Sequence, residues 1–164
     1  MNKKHELNKF AISDENLILI GLISVYYNWM IGEMKSLIRL VAKNQSIFSR
    51  IVLDKLKERD LSRVALELYM DRYGEDENLE KFKAHLRNFD KLISERNTFS
   101  HSDIFPSIHN DGLRLHKPVA PKSGEYKIRM DEIPTTKIKD LIMRYDAHIG
   151  LYDEEKGRLR KKEG

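Results

Sequence analysis

Between residues 79 and 101 the chain reads LEKFKAHLRNFDKLISERNTFSH. Leu79, Phe82, Leu86, Phe89 and Ile93 recur at steps of three and four, which places their side chains along one face of a helix at 3.6 residues per turn. The acidic stretch before it, Gly74 to Asn78, supplies a glycine to stop a preceding helix and offers Asp76 or Asn78 as an N-cap. Continued downstream, the same stepping reaches Arg96 and then Ser100, where an apolar side chain would be due. The pattern predicts a helix that fades near Phe105 and is blocked by Pro106, which has no backbone N–H to donate.

Upstream, Ser13 or Asp14 caps a long helix over about 14–43, with Asp14 and Glu15 favourably placed in its first turn. Its apolar residues, among them Leu17, Ile18, Leu19, Ile20, Leu22, Ile23, Val25, Trp29 and Ile31, cover most of the circumference. A helix apolar all round is covered on more than one side, and a second subunit is the expected cover. The uncharged run Asn16 to Gly32 is shorter than the roughly 20 residues of a membrane span and carries Asn16, Ser24 and Asn28. No small-residue cleavage site follows it, so neither a signal peptide nor a membrane anchor is expected. A second helix is predicted from a Ser46 cap to Tyr73, stopped by Gly74 and either kinked or interrupted at Lys57-Glu-Arg-Asp60.

Downstream, residues 107–134 change period. Leu113 to Val119 and Glu125 to Met130 alternate around Pro121-Lys122-Ser-Gly124, the pattern of a β-hairpin or extended loop. Pro134-Thr135-Thr136 opens a final helix with a stripe of Ile138, Leu141, Ile142, Tyr145, Ile149 and Tyr152, and a basic tail, 154–164, is expected to fray. The fold class expected is all-α: an up-and-down bundle of four to five helices with the hairpin inserted before the last. A single domain spans 1–164, with its core at about 14–152. Met30, Met34, Met70, Met130 and Met143 read as core fillers.

Composition agrees with a helical reading. The chain has 164 residues, 34% charged and 40% hydrophobic, with no cysteine, eight glycines and four prolines. Absence of cysteine excludes disulfide frameworks and thiol nucleophiles, and it fits a reducing, cytoplasmic compartment. Thirty Lys and Arg against 26 Asp and Glu leave a formal charge of +4, too mild an excess to identify a nucleic-acid binder by itself. His109 with His116, His85 and His5 have no ligand spacing that suits a metal, and no glycine-rich phosphate loop follows a strand; neither metal nor cofactor is expected.

The chemistry concentrates at Arg96-Asn97-Thr98-Phe99-Ser100-His101. A guanidinium on a core stripe must be paired, solvated in a cleft or waiting for an anion. Asn97 and His101 are four residues apart and share a helix face, so the amide is placed to orient the imidazole. Arg96 and His101 lie about 140° apart around an ideal helix and converge only through the length of the arginine or a loosened helix end. The run resembles the Arg-Asn-x3-His signature of the HEPN superfamily, small all-α domains that are typically ribonucleases of toxin–antitoxin, phage-defence and RNA-processing systems. The resemblance implies a homodimer with both motifs facing one cleft. It also implies metal-independent RNA cleavage, with His101 as acid or base, Arg96 stabilising the phosphate and Asn97 fixing the tautomer or positioning the phosphate. Ser100 and Asp103 are candidates for orienting these groups. Asp103 stands where some HEPN toxins carry a modifiable Tyr, which argues against regulation by a partner nucleotidyltransferase.

Arg114, Lys117, Lys122, Lys127 and Arg129 face only Glu125 between Gly112 and Met130, with Tyr126 among them. That set suits contacts to an RNA backbone, or equally a solvated hairpin kept from edge pairing by its lysines. The partners expected are RNA, a second copy of the chain and an antitoxin or other protein. The competing readings are structural, with Arg96 paired to a carboxylate such as Glu33 and His101 capping the helix, or a non-catalytic HEPN-like module that dimerises and binds a nucleotide, RNA or a protein.

Overall fold

The computed structural model describes residues 11–43, 47–109, 111–119 and 127–162, with 47–50 and 127 described by backbone alone. In chain order the elements are α1 (Asp14–Val41), α2 (Ile47–Lys55), a 3₁₀ turn (Glu58–Asp60), α3 (Leu61–Tyr73), α4 (Leu79–Ser100), β1 (Asp103–Pro106), β2 (Leu113–Val119), β3 (Lys127–Ile133) and α5 (Thr135–Lys161). The architecture is mostly helical, as expected, but it is not all-α. The hairpin is joined by a third strand into an antiparallel sheet of order β1-β2-β3. Residues 120–126, with Lys122, lie outside the described residues.

Two compact units form the chain, one from residues up to 25 with 95–143, the other from 26–94 with 144–164. In the first unit, Ser13 is the cap of α1: its hydroxyl accepts from the Asn16 N–H at 3.2 Å, one of the donors a helix start leaves over. At the end of α4 the helix stops earlier than the stripe predicts. The Ser102 hydroxyl donates to the Thr98 carbonyl at 2.6 Å and takes up one of the helix's orphan acceptors. Ile104 and Phe105 then pair with Leu115 and Arg114 as strand. Pro106 is tolerated because β1 is an edge. Pro118 in the central strand is tolerated too, since β1 begins at Asp103 opposite His116 and, among the described residues, no strand flanks Pro118 on that side. Leu113 and Leu115 are buried, whereas Ile128 and Met130 are exposed. Met130 and Met143 are therefore not core fillers, unlike Met30 and Met34.

A buried polar knot ties the start of α1 to the start of α5. Asn16 is 2% exposed, and its amide donates to the Asp111 carbonyl at 2.6 Å. The Thr135 hydroxyl lies 3.0 Å from Asn16 Oδ1 and 2.8 Å from the same Asp111 carbonyl. Thr135→Val keeps the shape and leaves these acceptors short of a donor, so it should cost about 1–3 kcal/mol. Urea unfolding at neutral pH measures this, and a variant as stable as wild type would show that the knot contributes nothing net.

In the second unit the predicted second helix is interrupted, not kinked. The 3₁₀ turn separates α2 from α3, and Tyr27 donates its phenol proton to Glu58 there. Gly74 closes α3 at φ 65°, a left-handed conformation that costs glycine little. The α4 stripe is buried as expected from Leu79 to Ile93, with His85 and Leu92 added. Arg72 donates to the carbonyls of Leu40 and Val41 at 3.0 and 2.6 Å, which satisfies the end of α1 and complements its dipole. The tail does not fray at residue 154: α5 continues to Lys161 because Glu155 and Leu159 are buried at the next stripe positions. Lys156 pairs with Glu33 and Lys162 with Asp76.

α1 divides into two faces. Leu19, Ile23, Tyr27, Met30, Met34, Leu37, Ile38 and Val41 are buried. Ile18, Leu22, Val25 and Trp29, also at steps of four and three, are 63%, 36%, 60% and 52% exposed. The apolar surplus read in the sequence is thus an uncovered stripe. By length and composition this is one helix, among the described residues, apolar enough to cross a membrane.

Candidate active site

Arg96 occupies the stripe position after Ile93 and is half-buried. Its Nη1 donates to Ser100 Oγ at 3.2 Å and, more weakly, to Asn97 Oδ1 at 3.4 Å. The Ser100 hydroxyl in turn lies 3.5 Å from the Asn97 carbonyl. These three side chains belong to the last turn of α4, so one helix holds the guanidinium at its own end. A cleft of about 120 Å³ opens beside it, lined by Ile20, Ile23, Ser24, Arg96, Phe99, Ser100 and Ile104. Its walls are mostly apolar, with Ser24 and Ser100 among them, and Arg96 is its charged group, which suits one anionic oxygen set against a hydrophobic floor.

His101 follows in the turn after α4, exposed, with its N–H on the Asn97 carbonyl at 3.2 Å. It is not among the residues lining the cleft. The side-chain oxygen of Asn97 is engaged by Arg96, where the four-residue spacing suggests contact with the imidazole. Asp103 is exposed on β1 opposite His116, and Phe105 rests against the His116 ring at 4.6 Å. The structure therefore joins Arg96, Asn97 and Ser100 in one hydrogen-bonded set and places His101 and Asp103 on the segment leading away from it.

The basic hairpin is less basic than its sequence suggests. Arg114 Nε meets Glu132 Oε1 at 2.6 Å across the sheet, in register with it. Hydrogen bonds from Ser107 and Arg114 hold the Glu132 carboxyl below its usual range. Arg129 pairs with Asp131 at 2.9 Å. Both acids lie just past the window in which only Glu125 opposes the cations. Lys117 sits opposite Arg129 in the register, Lys127 opens β3, and Lys122 lies outside the described residues. Two of the five proposed RNA contacts thus already have carboxylate partners.

A second constellation escaped the sequence reading. His85 and His148 stack at 4.4 Å, with Tyr152 edge-on to His85 at 4.4 Å. His85 is 5% and His148 1% exposed. Burial, then the neighbouring His148 and Arg158 charges, lower His85 to about 3; burial lowers His148 to about 4. The signal was present: His85 stands three residues after Phe82, and His148 three after Tyr145, both on the buried stripes. Among the described residues no group of three or more His, Cys, Asp or Glu side chains is placed to hold a metal. Comparison with protein-family models, with curated proteins and with solved structures returns no match.

Proposed function

We propose that this chain is a HEPN-like, metal-independent endoribonuclease of toxin–antitoxin or phage-defence type, working in the cytoplasm as a homodimer. The observation that carries the reading is the Arg96 guanidinium, held by Asn97 and Ser100 at the mouth of a cleft with His101 exposed immediately after. In that chemistry a base takes the ribose 2′-OH proton and the freed oxygen attacks the adjacent phosphorus. An acid then protonates the departing 5′ oxygen, leaving a 2′,3′-cyclic phosphate. Arg96 neutralises charge growing on the non-bridging oxygens. One imidazole is poorly placed to be base and acid together, and two His101 copies across a dimer divide the roles. Lys117, Lys122 and Lys127 are the hairpin cations proposed to follow the RNA backbone. The test is cleavage of a mixed RNA panel in EDTA. Fragments ending in 2′,3′-cyclic phosphate are expected, and an intact panel would remove the nuclease reading.

Dimerisation is proposed through the exposed stripe of α1. Fully burying such side chains stabilises an interface by about 1.5–3 kcal/mol each relative to exposure. Light scattering should give about twice 19.4 kDa, falling to the monomer in Ile18→Glu with Val25→Glu. A monomeric wild type would overturn the shared site.

A non-catalytic HEPN-like module, binding RNA, a nucleotide or a protein, is the second reading. It is favoured by the position of His101 outside the Arg96 cleft.

A further inference from the structure

The sheet, of order β1-β2-β3, has two edges, and they are built differently. β1 is four residues long and ends in Pro106; a short, proline-bearing edge guards against further pairing. β3 runs for seven residues, Lys127–Ile133, with neither proline nor glycine. Among the described residues it pairs with β2 alone, so its outward row of backbone N–H and C=O groups is left for another strand. Residues paired across the strands share a face, which puts Phe105, Pro118, Ile128 and Met130 on the side away from buried Leu113 and Leu115. Solvent ordinarily makes that side polar, yet Ile128 is 52% and Met130 64% exposed.

The charges of β3 decide what fits it. Lys127 and Arg129 lie in its first half, Asp131 and Glu132 in its second. We propose that β3 pairs antiparallel with β3 of a second copy, in the register centred on Met130, joining the two sheets into one. Opposite residues of an antiparallel pair point to the same face, so a two-fold register must be centred on a residue and not between two. Centred on Met130, Arg129 of each copy faces Asp131 of the other, and Met130 packs on Met130. Arg129 already holds its own Asp131 at 2.9 Å, so the contact makes a ring of four alternating charges. Centring on Arg129 would set two guanidiniums against each other, and centring on Asp131 two carboxylates; like charges directly opposite destabilise a pair. The cations that guard this edge against an arbitrary strand thus admit a strand that is acidic where β3 is basic, and β3 reversed is such a strand. The contact shares no residue with the Arg96 cleft or with the exposed stripe of α1, so it stands whether or not the protein cleaves RNA. One strand laid along another covers less than the roughly 1,200–2,000 Å² of a stable interface, so pairing is populated at concentrations on the order of 0.1–1 mM. In dilute solution it leaves the α1 contact as it is; in concentrated solution two different two-fold contacts on each copy carry assembly past the dimer.

The chain has no cysteine, so single cysteines read the register. Met130→Cys brings its two Cα atoms to about 4.5–5.5 Å across the pair, within disulfide range. Ile128→Cys, at similar exposure, leaves them about 14 Å apart, out of range. Under a mild oxidant in concentrated solution, Met130→Cys should form a disulfide-linked dimer and Ile128→Cys should not. The same result is expected in a chain that also carries Ile18→Glu with Val25→Glu, which separates this contact from the one through α1. Arg129→Glu turns two attractive pairs repulsive and should weaken the Met130→Cys crosslink about ten-fold or more. Adding Asp131→Arg restores the complementarity in the same register and should restore the crosslink. Thermal melts check that each variant keeps its fold. No crosslink in Met130→Cys, equal crosslinking at both positions, or a crosslink indifferent to Arg129→Glu overturns the proposal.

Discussion

Between pH 7 and pH 4.5 the protein is expected to lose roughly 4–5 kcal/mol of stability through His85 and His148 alone. Both imidazoles titrate lower in the folded chain, about 3 and about 4, than their ordinary 6.5. The unfolded chain therefore binds protons that the folded chain refuses. Stability is whole above pH 6.5 and falls as pH drops below it, until the folded imidazoles themselves protonate near pH 3–4. In that window each histidine removes up to about 1.4 kcal/mol per pH unit. Burial pushes the Glu155 carboxyl up; a carboxyl shifted that way gains stability on acidification and offsets part of the loss. Domain stabilities are about 5–15 kcal/mol in total, so the effect is a large fraction of the whole. Urea midpoints of wild type and of His85→Leu with His148→Leu at both pH values measure it. The double variant should lose far less than wild type, and equal losses would clear the histidines of the acid sensitivity.

The other large effect is expected at Arg96 and His101. If the site cleaves RNA, His101→Ala should lower the rate about 10² to 10⁴-fold, the range for loss of a positioned proton carrier. Arg96→Leu should abolish cleavage while Tm stays level or rises. Its stripe position favours an apolar side chain, and the hydrogen bonds it gives up include local ones to Asn97 and Ser100. Ser100→Ala should act more mildly, by loosening the guanidinium without removing it. Loss of activity with stability kept marks a charge held for a ligand. Should Arg96→Leu melt far lower instead, the guanidinium is a structural partner and the binding-module reading takes first place.

The elements were legible to very different degrees. α1, α4 and the stripe of α5 follow from apolar spacing, because a helix buries residues three and four apart whatever surrounds it. β1 was not legible: Asp103 to Pro106 has no period long enough to read, and it becomes strand only because β2 lies beside it. The tail was misread for a related reason. Glu155 and Arg158 look like solvated charges in sequence, yet Glu155 is buried and pairs with Arg158.

The Arg-Asn-x3-His run, its place at the end of a long helix and the surplus of apolar residues in α1 were determined by the sequence itself, since each depends on neighbours within a few turns. Which face of α1 stays uncovered, the capture of Arg114 and Arg129 by Glu132 and Asp131, and the stacking of His85 on His148 were decided only by the tertiary structure. Those outcomes turn on partners from other turns, strands and helices, and such pairing is set by how the chain packs and not by the spacing along it.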